Sequence, residues 1–353
     1  MSTFRVLAIG DKFISSAVYE ESLRNIVATF PDDVEIDLRR IEWDLDKAGQ
    51  HRLQQVMEWE GANAVDAPQE ILDAIVDVDA VVLHFAPIGK AVIEAGKNLR
   101  LIAVARAGLE NVDVAEATWR GIAVSGVVGR NAAAVAELAI GLMLSECRNI
   151  SRADQSIKSG EWRKSFPVPM IELGESTIGI IGFGQVAQHL TRKLSGLSET
   201  ILVHDPYTSE EGIRALGAQP ASFDEVFSAS DFVHVMARLT PETERFVAAR
   251  EFGLMKPSAY FINTARSRLV NYDDLLEAVQ SGRIAGAGLD VFDEEPLGTD
   301  SPWRKLDNVT MTTHYGGDTT GTNRTSTRLV LESVASFAVE GTLASAINAK
   351  DLG

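Results

Sequence analysis

Short aliphatic and β-branched runs alternate along the whole chain with longer segments whose apolar positions recur at helical spacing, the pattern of strand–helix–strand units. In the first third, strands are predicted at 5–9, 34–38, 80–85, 101–105 and 122–125, and helices at 17–29, 68–76 and 114–120. Such alternation of strands and helices is the mark of a parallel sheet. A long helical pattern over 131–150 and an irregular stretch over 160–170 precede a second series of six strands, at 178–181, 200–204, 232–236, 259–263, 285–289 and 309–312. A last helix over 321–340 lies too far along to belong to the second sheet and is expected to return to the first. The expected architecture is therefore α/β, with two doubly wound parallel sheets: one domain from 1–128 with 319–353, the other from 129–318. Trp43 and Trp59 read as helix packing.

A length of 353 residues suits two domains, at roughly 150 residues each. With 33 basic and 50 acidic side chains the net charge is −17. Such a surface repels phosphate backbones and anionic headgroups, so neither nucleic acid nor membrane is expected as a partner. Cys147 stands alone. It permits no intrachain disulfide or cysteine-based zinc cluster, fits a reducing compartment, and leaves no metal expected. The first residues lack the basic flank and apolar length of a signal segment, and no run approaches the ~18 apolar residues of a membrane span. A cytoplasmic location is expected.

Candidate chemistry gathers at strand ends. Gly182-Phe-Gly184-Gln-Val-Ala187 follows one strand pattern and opens a helical one. Gly182 would allow the tight turn, Gly184 the close approach of backbone amides to a pyrophosphate, and Ala187 close helix packing. The acidic residue expected about 20 positions further on, to accept ribose hydroxyls, is Asp205. A 2′-phosphate within about 4 Å of that carboxylate would meet repulsion of ~1–4 kcal/mol, so NAD is expected rather than NADP. Asn263-Thr-Ala-Arg266, Gly288-Leu-Asp290 with Glu295-Pro296, and Thr313-His314-Tyr-Gly316-Gly317 each follow a strand, at the edge where open α/β sheets bind ligands.

At these residues, with Arg106-Ala-Gly108, Asn131, Val135-Ala-Glu137 and Gly160-Glu-Trp162, the chain resembles the D-isomer-specific 2-hydroxyacid dehydrogenases, in a form similar to D-3-phosphoglycerate dehydrogenase. The resemblance covers nearly the whole chain. It implies two Rossmann-like domains with an active-site cleft between them, NAD as cofactor, a small 2-hydroxy or 2-keto acid as substrate, and a homodimer. Carried over by motif, Arg266, Glu295 and His314 are the catalytic set. Gly182, Gly184, Gln185, Val186, Asp205, Thr264, Ala265, Asp290, Gly316 and Gly317 are the cofactor contacts. Ala107, Gly108, Arg266, His84, Phe85 and Arg130 are the substrate contacts.

The expected roles follow from charge. As hydride reaches a carbonyl carbon, negative charge grows on its oxygen, and an imidazolium can donate a proton there. Glu295 would favour the charged ring and fix its orientation. Arg266 offers a planar fork to a carboxylate. The Arg106–Asp113 loop is shorter than the family's common form, and Met236 and Arg238 replace its His-x-Pro. The family thus leaves the particular acid open. A phosphorylated sugar acid would call on Lys90, Arg106 and Arg130; a non-catalytic, dinucleotide-sensing corepressor is the alternative from another class.

Overall fold

The structure, a computed structural model, describes residues 2–27 and 34–352. It divides into two compact units, Met1–Arg130 with Thr320–Gly353, and Asn131–Thr319. The first unit contains β1 (Ser2–Gly10), α1 (Ser16–Ile26), β2 (Val34–Glu42), α2 (Lys47–Glu60), α3 (Gln69–Ala74), β3 (Ala80–Leu83), α4 (Lys90–Ala95), β4 (Leu101–Val104), α5 (Val114–Trp119) and β5 (Ala123–Gly126). Its sheet is all parallel, in the order β2-β1-β3-β4-β5. Alternation along β1 explains why both faces are covered. Phe4, Val6 and Ala8 belong to one apolar cluster, and Leu7 and Ile9 to the other. Each such fully buried aliphatic side chain contributes about 1.5–3 kcal/mol.

The second unit runs α6 (Ala132–Cys147), α7 (Ile150–Lys158), β6 (Thr177–Ile181), α8 (Gln185–Leu194), β7 (Thr200–His204), α9 (Glu210–Arg214), β8 (Gln219–Pro220), α10 (Phe223–Ala229), β9 (Phe232–Val235), α11 (Ala249–Leu254), β10 (Tyr260–Asn263), α12 (Tyr272–Gln280), β11 (Gly286–Leu289) and β12 (Val309–Met311). Its parallel strands lie in the order β12-β11-β10-β9-β6-β7-β8. Ile178 and Ile180 face one core and Ile181 the other. The last helix, α13 (Thr320–Glu340), packs in the first unit, where Thr327 bonds Ser22 of α1 and Asn323 donates to the Phe13 carbonyl.

Several expectations need correction. The second sheet has seven strands rather than six, because β8 is a two-residue edge strand, too short to leave a pattern. The helical run after Asn131 breaks at Asn149, whose φ of 54° is left-handed, and resumes as α7. Helices α2 and α4 were not predicted from the sequence. The predicted end of the first helix, at Ala28 and Thr29, falls outside the described residues. Trp43 is buried, but Trp59 projects into solvent at the end of α2.

Two buried polar groups bear on stability. Glu146 of α6 meets Arg152 of α7 at 2.6 Å and accepts from Thr310 of β12 at 2.5 Å, tying three elements together. His234, in the middle of the second sheet, is fully buried with neither ring nitrogen partnered, and burial lowers its pKa from 6.5 to about 3. The ring is therefore held neutral in the fold, while the unfolded chain takes up a proton below about 6.5. Stability should fall with pH through the window between those two values, by up to ~1.4 kcal/mol per unit from this ring. In His234→Leu, urea-unfolding midpoints measured from neutral to acid pH should lose that slope; parallel slopes in both proteins would count against it.

Candidate active site

Three neighbouring parallel strands end at one edge of the second sheet, with registers Asn263↔Leu289 and Leu289↔Met311. The segment after β10 carries Arg266, the one after β11 carries Glu295, and the one after β12 carries His314. Because strands in a sheet lie about 4.8 Å apart, matched register delivers the three segments side by side.

Glu295 and His314 are in direct contact. His314 Nδ1 lies 2.8 Å from Glu295 Oε2, and the other carboxylate oxygen accepts the Phe292 amide at 2.9 Å. The carboxylate is thereby oriented by its own backbone before it orients the ring. Both side chains are partly exposed. His314 has φ 55°, a left-handed conformation. Such a conformation is unusual for a residue with a Cβ and needs support from its surroundings.

Asp290 provides that support. Its carboxylate accepts from Thr312 Oγ1 at 2.5 Å and from the amides of Tyr315 at 3.2 Å and Gly316 at 3.0 Å, bracketing His314 on both sides. Read from sequence as a cofactor contact, Asp290 is buried and bonded to the histidine turn. Gly316 and Gly317 close that turn, where an added Cβ would strike Asp290 Oδ2 at 2.9 Å and Asn131 Nδ2 at 2.5 Å.

Arg266 is exposed, with Nη1 on the Ala265 carbonyl at 2.7 Å. Its turn is built by Asn263, which accepts from the Ala265 amide at 3.0 Å and donates to the Arg266 carbonyl at 3.1 Å. Asn263 was not assigned a role from the sequence. Its signal was the spacing of an Asx turn at a strand end. Thr264 Oγ1 is buried without a partner.

The glycine segment fits a dinucleotide. Gly182 has φ 91°, and a Cβ there would lie 2.7 Å from the Ala237 backbone, so only glycine is tolerated. Gly184 caps α8 with nothing within 4 Å of its Cβ direction. No side chain caps α8 and no acid occupies its first turn, so the amides around Gln185 and Val186 remain available to an anion. Asp205 accepts from the amides of Phe183 at 2.6 Å and of Tyr207 and Thr208 at 2.8 Å. Burial opposes its ionisation, but those three amides outweigh it and hold the carboxyl below its usual range. These residues fit NAD: helix amides for the pyrophosphate, and a carboxylate in place for ribose hydroxyls.

In the first unit, His84 and Phe85 follow β3 as a packed strand terminus, 3% and 7% exposed. Asp11, one residue past β1, accepts from the Phe13 and Ile14 amides at 2.8 Å, from the Phe85 amide at 3.1 Å, and meets His84 Nδ1 at 3.2 Å. Burial lowers the His84 pKa, and its Nε2 has no partner. Asp11 is a hub the sequence reading missed. Ala107 and Gly108 form the turn after β4; a Cβ on Gly108 would strike Glu110 at 2.5 Å. Arg106 lies 4.5 Å over the Phe85 ring and pairs with Glu110 at 3.3 Å and Glu58 at 3.7 Å. Lys90 approaches Glu116 at 3.9 Å, and Arg130 donates to Ser326 Oγ at 3.2 Å.

Comparison with known proteins bears on the same segments. The family model described as "D-isomer specific 2-hydroxyacid dehydrogenase, NAD binding domain" matches residues 140–316. A hydroxypyruvate reductase of Thermotoga maritima is 37% identical over 284 residues, covering 79% of this chain and 91% of that protein. A D-3-phosphoglycerate dehydrogenase of Archaeoglobus fulgidus is 34% identical over 282 residues, covering 79% of this chain and 53% of that protein. The chain thus spans about half the length of the phosphoglycerate dehydrogenases it matches. Among solved structures, a D-lactate dehydrogenase from a Sporolactobacillus superposes with a TM-score of 0.77 at 24% identity, covering 98% of this chain and 99% of that one, a likeness of fold. Among the described residues no helix is long and apolar enough to cross a membrane.

If Asp205 sets cofactor choice, Asp205→Ala should shift the ratio of NADPH to NADH affinity by about tenfold toward NADPH, from the loss of like-charge repulsion. Fluorescence titration with both cofactors checks it, and an unaltered ratio would remove Asp205 from that role.

Proposed function

This chain belongs to the D-isomer specific 2-hydroxyacid dehydrogenase family, and on that premise we propose that it is an NAD-dependent oxidoreductase moving hydride between nicotinamide and C2 of a small D-2-hydroxy acid or its 2-keto form. NAD supplies the hydride acceptor or donor. The observation that carries the proposal is the 2.8 Å contact between His314 and Glu295 beyond adjacent strands. With Nδ1 committed to the carboxylate, His314 presents Nε2 to the substrate oxygen, donating a proton in reduction and accepting it in oxidation. Arg266 is an exposed planar cation that suits the substrate carboxylate. In the cofactor site, Gly182, Gly184, Gln185, Val186 and Asp205 hold the dinucleotide, with Thr264 and Ala265 beside it.

An unphosphorylated acid is favoured, because Arg106 and Lys90 are already set against carboxylates of their own unit. Hydroxypyruvate, named in a relative that the chain covers almost end to end, is the first substrate to try. An intact Arg, Glu and His set argues against a purely dinucleotide-sensing protein. Exposed apolar side chains along and after α7, Ile150, Ile157, Trp162 and Met170, support a homodimer formed through the second unit. The single free Cys147, buried, suits the cytoplasm.

NADH consumption with hydroxypyruvate and glyoxylate tests the reading. His314→Ala should lower kcat by about 10²–10⁴-fold with NADH affinity preserved. A wild-type protein that binds NADH and reduces no 2-keto acid of a broad panel would instead favour the sensing role.

A further inference from the structure

The β10–β11 ladder ends where the Asp290 amide donates to the Asn263 carbonyl at 3.0 Å. Beyond that bond the two chains separate into the turns carrying Arg266 and Glu295. A buried side chain bridges them. Tyr272, the first residue of α12, donates its hydroxyl to the Val291 carbonyl at 2.5 Å and receives the Asn263 side-chain amide at 3.4 Å. The same Asn263 nitrogen donates to the Arg266 carbonyl at 3.1 Å. On the other side, Val291 adjoins Phe292, whose amide holds Glu295 Oε1 while Oε2 holds His314. The arginine turn and the imidazole–carboxylate pair are therefore joined through one phenol.

Local sequence places that phenol accurately. Asn271 caps α12 by accepting the Asp273 amide at 3.2 Å, so Tyr272 begins the helix in a set direction. Its ring packs against Trp303, with centroids 5.6 Å apart, and Phe292, at 6.3 Å. Burial, reinforced by the charges of Asp293, Glu295 and Asp290, drives its pKa far above the usual phenol range. The group stays protonated and remains a donor at every working pH.

We infer that Tyr272 is a positioning residue for the reaction proposed above, its hydroxyl keeping the Arg266 turn in register with the Glu295–His314 pair. The inference rests on that reading of the three residues. Buried at 5% exposure, Tyr272 acts through Asn263 on one side and Val291 on the other. Because a hydroxyl has one proton to give, its single donor goes to Val291, and its acceptor face meets Asn263. The bridge has a direction that a ring alone cannot reproduce.

Tyr272→Phe keeps the ring and removes the bridge. Expected are a kcat/KM for the 2-keto acid about tenfold lower, an unchanged NADH dissociation constant, and a displaced pH–rate profile. Combined with Arg266→Lys, it should lose less than the product of the single losses, since both act on one arrangement. Trp303→Leu, which trims the packing on the same ring, serves as a control and should leave the profile in place. A Tyr272→Phe enzyme with wild-type profile and full additivity would overturn the inference, as would an equal displacement in Trp303→Leu. Should Tyr272→Phe not fold, Asn263→Ser withdraws the donor from the same hydroxyl and is read by the same quantities. His314→Ala in the same assay separates the failures: retained turnover there overturns the catalytic reading itself, whereas lost turnover beside a wild-type-like Tyr272→Phe overturns only the bridge.

Discussion

Strand polarity in the second sheet is the constraint from which the rest of the candidate site follows. In a parallel sheet every strand presents its C-terminal end at the same edge, and the hydrogen-bond register fixes how far each chain reaches before it turns. Asn263, Leu289 and Met311 are paired across β10, β11 and β12. The segments that follow them start level, so residues far apart in sequence emerge as neighbours. A one-residue slip in β12 would turn its side chains to the opposite face and carry His314 away from Glu295.

Carboxylates convert that shared edge into defined turns. Asp11, Asp205 and Asp290 each stand one residue past a strand and accept backbone amides of the turn they begin or face, and Glu295, further along the segment after β11, accepts the Phe292 amide. An ionised carboxylate can take several N–H donors at once, and such charge-assisted bonds are stronger than neutral ones. These four acids are thus working parts of the architecture and stand apart from the solvated surface charge that dominates the total of −17. The two units use the device differently. In the second, Asp205 and Glu295 stay partly open to a ligand, whereas in the first Asp11 turns inward onto His84 and the packed Phe85.

Much of this was legible in the residue order. Both sheets announced themselves through short apolar runs alternating with amphipathic stretches, and the helix returning to the first unit was placed by its distance from the last strand. Asp205 was singled out by its spacing from the glycine turn, and the His314, Glu295 and Arg266 segments by their position after strands. Less visible were features with short or mixed signals. Strand β8 has two residues, and the break at Asn149 depends on one left-handed residue. Trp59 shows the limit of composition, since an aromatic side chain on a helix packs only if its face points inward.

The sequence by itself determined the fold class and strand count to within one, and it marked the strand ends around which the candidate site is built, because periodicity and turn chemistry are local properties of a chain. Only the tertiary structure decided which polar atoms meet. It turned Asp290 onto the histidine turn, paired Asp11 with His84 across two strands, and set the Tyr272 hydroxyl between two loops. Hydrogen bonding between residues distant in sequence depends on register and side-chain direction, and no local pattern encodes either until the strands have paired.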